Sequence, residues 1–208
     1  MRIVQISGKG RVGKTTLAHL IAKYSLDLGF NPVIIPFAGA IKKLAEQLGL
    51  TKESDSTKYR EFCQELGASK RKEDPDYWAV KTYEEIQEYM VKEIDNKRIN
   101  PKFEYVIIQD DVRYMNELGL GRDLAALQIF ISSQSRNLPE KDAEWRNHES
   151  EVLANNVEEK IGEYLDVFDF ILYNHEGNIK LMDQMVRDNL KEWLDMGYLE
   201  LEDYDETN

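Results

Sequence analysis

One stretch constrains this chain more than any other: Gly8-Lys9-Gly10-Arg11-Val12-Gly13-Lys14-Thr15, with Thr16 after it. It meets every fixed position of G-x-x-x-x-G-K-[ST], the spacing of a loop that encloses a phosphate group. The chemistry requires these residue types. Glycines let the backbone curl until successive N–H groups converge on one anion. The helix that follows turns its N-terminus toward the same anion. Lys14 is placed to reach terminal phosphates, and the Thr15 hydroxyl to take one position of a Mg²⁺ ion. The flanks agree. Arg2–Ile6 is a short apolar strand, and Thr15–Leu28 carries Leu17, Leu20, Ile21, Tyr24 and Leu28 at helical spacing before Gly29. The expectation is ATP or GTP, with Mg²⁺, on residues Gly8–Thr16.

Further along, short apolar runs alternate with helical patterns. Asn31–Phe37, Tyr105–Ile108, Leu127–Ile131 and Phe168–Leu172 read as strands. Gly39–Leu48, Trp78–Ile94 and Ile179–Leu194 read as helices, with a further one over Tyr59–Leu66 inside a polar stretch, 51–76. A second polar stretch covers 132–150, and Val152–Val157 is left unassigned. This alternation predicts an α/β fold: a parallel sheet of about five strands with helices on both faces. One domain over 1–200 is expected, with 51–76 and 132–150 as its mobile parts and an acidic tail at 201–208.

Composition narrows the partners. The 208 residues hold 39 acidic and 27 basic side chains, a net charge of −12. That opposes a protein whose main task is gripping nucleic acid, and equally a nucleic-acid-stimulated ATPase. It leaves room for small anions, because a pocket can be basic on an acidic surface. A single cysteine, Cys63, rules out an intrachain disulfide and fits a reducing, cytoplasmic setting. Met1–Gly8 is too short and mixed for a secretion signal, and no run approaches the ~20 apolar residues of a membrane span. A homodimer is left open.

A second chemical feature lies at Tyr105-Val106-Ile107-Ile108-Gln109-Asp110-Asp111, an apolar run that ends in two carboxylates. Ligands of open α/β sheets collect at the carboxyl ends of strands. Asp110 or Asp111 there is a candidate for the metal's ligand shell or for positioning an attacking group. Arg113 follows, and a guanidinium suits bidentate phosphate binding.

From this point the chain resembles a family, the phage-type deoxynucleoside monophosphate kinases. Asp111-Val112-Arg113-Tyr114-Met115-Asn116-Glu117 is similar to their Asp-Val-Arg-Phe-x-Asn-Glu segment. In the same order along the chain, Phe37-Ala38-Gly39-Ala40-Ile41-Lys42 resembles Phe-Ala-Asp-Pro-Leu-Lys. Gln64-Glu65-Leu66-Gly67, Lys70-Arg71 and Pro75-Asp76-Tyr77-Trp78 resemble Gln-x-Leu-Gly, Arg and Pro-Asp-x-Trp. His148-Glu149-Ser150-Glu151 resembles His-x-Ser-Glu, and Asp169–Asn174 resembles Asp-x-x-Ile-x-Asn. The likeness spans about 1–190. Gly39 and Ala40 depart from it where the family has Asp-Pro.

The resemblance implies a three-layer P-loop NTPase fold, with a monophosphate-binding region over about 37–95 and a lid over about 132–150. It implies transfer of the ATP γ-phosphate to a (deoxy)nucleoside monophosphate. Phe37 and Ala38 would line the base pocket, with Trp78 either stacking there or anchoring its helix in the core. Lys42, Lys70, Arg71 and Arg113 would be the candidates for the acceptor phosphate. Arg136 and Arg146 of the lid would join Lys14, Asp111 and Arg113 in catalysis, with Trp145 near a base. Asn174 and Gly177 would lie by the adenine, and His148 would be structural.

Two other readings stay open. Lys9 resembles the extra lysine of ParA/MinD-type switch ATPases, but Ile35–Gly39 lacks their aspartate and Gln109–Arg113 lacks their Asp-x-Pro-Pro. A P-loop kinase of another small metabolite, such as dephospho-coenzyme A, shares every feature except the pocket.

Overall fold

Strands β1 (Arg2–Ser7), β3 (Tyr105–Val112) and β4 (Leu127–Ser132) are buried along nearly their whole length, as apolar runs of this kind require. Strands β2 (Asn31–Ile34) and β5 (Phe170–Tyr173) are shorter and only partly covered. The difference follows from position. In this computed structural model the five strands pair in parallel in the order β2-β3-β1-β4-β5, so the covered strands are central and the others form the edges. The structure describes residues 1–51, 53–95, 104–132, 148–174 and 178–196.

The described helices are α1 (Lys14–Asp27), α2 (Gly39–Gln47), α3 (Ser56–Glu73), α4 (Tyr77–Asp95), α5 (Met115–Asp123), α6 (Val152–Glu159) and α7 (Ile179–Met196). Strand alternation sorts the core into two faces. Val4, Ile6, Val106, Ile108, Leu127, Ile129 and Ile131 meet Leu17 and Ile21 of α1 and Val186, Leu190 and Trp193 of α7. Ile3 and Ile107 meet Ile86 of α4 on the opposite face. Beside them Phe130 packs with Leu118 of α5 and with Leu153 and Val157 of α6. The fold is therefore α/β with three layers, as the alternating pattern predicts. No helix among the described residues is long and apolar enough to cross a membrane.

A buried polar row interrupts the second face. Gln5, Gln109 and Gln128 stand side by side on β1, β3 and β4. Gln5 Nε2 donates to Gln109 Oε1 at 2.9 Å, and Gln128 Nε2 donates to Gln5 Oε1 at 3.1 Å. The same two amides reach carbonyls of α5, at Glu117 and Leu118. Buried amides must find such partners, so the row fastens α5 to the sheet. The helix approaches closely enough that a Cβ on Gly121 would stand 2.0 Å from Gln5 Oε1.

Several sequence expectations are corrected here. The stretch 51–76 is largely helix, capped by Asp55, whose side chain accepts the N–H groups of Thr57 and Lys58. Its last turn carries Lys70, Arg71 and Lys72, which suit the negative end of a helix dipole. Strand β3 does not stop at Ile108 but runs through both aspartates to Val112. Strand β2 ends at Ile34, short of Phe37, and β5 begins at Phe170. Helix α5 was not foreseen, because Gly119 and Gly121 weaken its propensity; packing of Leu118 and the glutamine row override that. Val152–Val157 belongs to a helix.

Candidate functional site

Strand β1 delivers the chain to the loop at the sheet's centre, between β3 and β4. Gly8 has φ 144°, and a Cβ there would lie 2.3 Å from the Ile131 carbonyl oxygen, so only glycine fits. Gly13 has φ 108° and stands at the N-cap of α1 with no side chain capping the helix and no acidic residue in its first turn. The first N–H groups of any helix lack intrahelical acceptors. Here Gly13, the cap residue, has no side chain to accept from them. Asn174 Nδ2 pins the loop from the side, donating to the Val12 carbonyl at 2.6 Å. Its Oδ1 is buried with no hydrogen-bond partner among the described residues.

Lys14 folds back over the loop. Its Nζ donates to the carbonyls of Gly8 at 2.7 Å and Lys9 at 2.9 Å. Burial, reinforced by the nearby Arg113 charge, pushes the Lys14 ammonium down to about 8. The Thr15 hydroxyl donates to Asp110 Oδ2 at 2.7 Å. A hydroxyl and a carboxylate at that spacing are hard oxygen donors beside a phosphate loop, the donor type Mg²⁺ takes. The residues therefore fit the metal that the motif implies, and Asp110, not Asp111, is the carboxylate beside Thr15.

Asp111, on the next position of β3, points into a different set of partners. Lys42 Nζ of α2 lies 3.1 Å from its Oδ2, and Arg113 Nε donates to its Oδ1 at 2.8 Å. Burial alone would raise this carboxyl, but Arg113, Lys42 and Lys14 outweigh it and hold it far below the usual carboxylate range. The same contact with Asp111, helped by Glu151, raises Arg113 against its own burial. Arg113 Nη1 also donates to Ser150 Oγ at 3.3 Å and to Glu151.

Glu117 ties a third element in. It is buried, which pushes its carboxyl upward, while the Arg113 N–H at 2.7 Å, the Tyr114 N–H at 3.2 Å and Arg71 Nη2 at 3.3 Å oppose the shift. Arg71, from α3, lies with its guanidinium 3.7 Å from the Tyr114 ring centroid. Stacking and ion pairing together fix where that guanidinium sits. Lys42, Arg71 and Arg113 thus converge from three elements upon the end of β3.

Other expected site residues fall elsewhere. Lys70 pairs with Glu73 one turn along α3 and lies near the Tyr77 ring, outside this cluster. Of the two candidates for the acceptor arginine, Arg71 is the one brought in. Trp78 is 2% exposed, and its indole N–H donates to the Gly67 carbonyl at 3.1 Å, so it is a core anchor between α3 and α4. Phe37 is also buried, in the core cluster with Ala79 and Phe130. Ala38 is the N-cap of α2, one turn before Lys42. Lys9 and Arg11 belong to the loop, with Lys9 Nζ 2.5 Å from Glu158 of α6. His148 accepts the Ser150 N–H at the head of a short 3₁₀ turn, Glu149–Glu151. Arg136, Trp145, Arg146 and Gly177 lie outside the described residues, as does most of 132–150.

Two further participants, Glu117 and Glu151, close the Asp111–Glu117 and His148–Glu151 stretches of the resemblance, which gave them no role. Residue type alone carries no signal on a chain rich in glutamate; the matched position at the end of each stretch is the signal that could have found them. Compared with models of known protein families and with curated protein sequences, the chain matches none.

Proposed function

We propose that this chain is an ATP-dependent kinase that transfers a phosphoryl group to a nucleoside monophosphate, with a deoxynucleotide as the preferred acceptor. The observation that carries the reading is the placement of Arg113. Glu151 links it to the Gly10 N–H of the phosphate loop, and it is held in the same network as Lys42 and, through Glu117, Arg71. A hydrolase or switch needs cations on one polyphosphate. A kinase needs a second set, displaced from the first, for the acceptor's phosphate.

The chain's residues divide the work accordingly. The loop Gly8–Thr16 holds the triphosphate through backbone N–H groups and Lys14. Thr15 and Asp110 would hold Mg²⁺, whose chemistry there is to offset charge on the phosphate oxygens. Arg71 and Lys42 orient the acceptor phosphate. Arg113, between the two sets, meets charge that develops on the group in transit. No general base is required, because a monophosphate oxygen is already a competent nucleophile when aligned. The preference for a deoxynucleotide rests on the sequence resemblance alone.

Lys9 bears on the switch-ATPase alternative. The early lysine is the one signature of that reading present in the chain, and here it is engaged by Glu158. A substrate panel separates the readings. ADP release from ATP and Mg²⁺ is followed with each deoxynucleoside and ribonucleoside monophosphate, and with dephospho-coenzyme A. Acceleration by one or more monophosphates is expected. Slow hydrolysis that no acceptor accelerates would refute the kinase assignment.

A further inference from the structure

We infer that Glu151 is a positioning residue whose carboxylate sets Arg113 at a fixed distance from the phosphate loop, and so acts on phosphoryl transfer rather than on nucleotide binding. The inference rests on the kinase reading. Glu151 is 3% exposed, at the end of the 3₁₀ turn that leads into α6. Its two oxygens serve different parts of the site. Oε2 accepts the Gly10 N–H of the loop at 2.9 Å, and Oε1 accepts from Arg113 Nη1. One carboxylate therefore spans the loop and the cation proposed to meet the moving group.

The rest of the geometry makes this a strut. Arg113 is gripped on its other edge by Asp111, through Nε at 2.8 Å. With Nε and Nη1 both held, Nη2 is the nitrogen that, among the described residues, carries no hydrogen bond and remains for an anion. A guanidinium so held loses little freedom when an anion arrives. Helix α6 is fastened to the loop a second time, by Glu158, which pairs with Lys9 at 2.5 Å and accepts from Ser132 Oγ at 3.2 Å. The strut thus stands on a body that cannot drift from the loop independently.

Electrostatics decides against the simpler role. A carboxylate beside a polyphosphate site repels the ligand, so Glu151 cannot be there to tighten ground-state binding. Its benefit must come through what it holds. Misplacing a catalytic group by about 1 Å costs on the order of a hundredfold in rate, so a strut can outweigh the repulsion it adds.

The test is a double-mutant cycle of Glu151→Gln and Arg113→Lys, read as kcat and KM for ATP and for the best monophosphate, with ATP affinity by calorimetry. Glutamine keeps an oxygen for the Gly10 N–H and removes the charge that holds Arg113. E151Q is expected to lose about tenfold or more in kcat, with KM for ATP within about threefold of wild type. In the R113K background the same change should cost nothing further. Losses that multiply, or an E151Q enzyme with unchanged kcat, would overturn the inference while the kinase reading stands. A marked loss of ATP affinity in E151Q would also overturn it, by making Glu151 a determinant of nucleotide binding. Wild-type protein that binds ATP yet transfers to no monophosphate would sink the kinase reading itself. If E151Q fails to fold, Glu151→Asp, which keeps the charge but shortens the strut, carries the same cycle.

Discussion

The phosphate loop draws its groups from nine consecutive residues, Gly8–Thr16. The cluster beside it draws Lys42 from α2, Arg71 from α3, Asp111 from β3, Arg113 from its exit, Glu117 from α5 and Glu151 from the turn before α6. The loop works through backbone N–H groups, aimed by φ angles that glycine permits. The cluster works through side chains, each aimed by a partner of opposite charge. A contiguous backbone device depends on few other parts of the fold. A side-chain device assembled from six places depends on every element that carries it, and variants in the two regions should behave differently.

The largest effect is expected at Lys14. Lys14→Ala should reduce transfer by on the order of a thousandfold, since a buried cation on the phosphates is lost. Nucleotide affinity should fall in the same variant, and near-normal transfer would break the comparison at its root. Arg113→Lys keeps a charge beside Asp111, so the fold should survive, but it loses the planar fork. Its kcat should drop about a hundredfold while ATP affinity by calorimetry stays close to wild type. Equal losses in both quantities would merge the two regions into one.

Arg71→Ala tests the far side of the cluster. It should raise KM for the monophosphate about tenfold and leave KM for ATP unchanged. A rise in KM for ATP instead would place Arg71 on the wrong side of the division. The smallest effect is one of pH. Burial and the Arg113 charge lower the Lys14 ammonium from the usual lysine range to about 8. Above that pH the free protein is increasingly unprotonated at Lys14, whereas a bound polyphosphate favours the ammonium. Binding must then take up a proton. ATP affinity should fall several-fold between pH 7.5 and 9, and calorimetry in buffers of different ionisation heat should show the uptake. Asp110, Asp111 and Glu151 face the same ammonium and favour its charge, so flat affinity across this range would mean that they outweigh burial and Arg113.

The two regions were also unequally legible. The loop could be read because its spacing, its strand and its helix all lie within about thirty residues, a scale on which local preference and hydrophobic period speak directly. The alternation of strands and helices, and with it the layered sheet, could be read for the same reason. Asp110 and Asp111 illustrate the boundary. Adjacent in sequence and alike in chemistry, they were indistinguishable until strand β3 was seen to carry both. Successive strand residues point to opposite faces, so one carboxylate meets Thr15 and the other meets Lys42 and Arg113.

Trp78 and Arg71 show the same limit from the other direction. Trp78 had the composition of a stacking platform, yet the packing of α3 on α4 buries it and gives its N–H to Gly67. Arg71 could not be separated from Lys70 by type, but a helix turns 100° per residue, and only one of the two faces Glu117. Glu117 and Glu151 close two stretches of the resemblance, but their roles stayed hidden, since what distinguishes them is burial between elements distant in sequence. What this sequence settled alone were the local things: a loop of glycines before a helix, and the strand and helix periods that layer the fold. Which charges face one another was decided by tertiary structure, because an ion pair is a property of two positions in space.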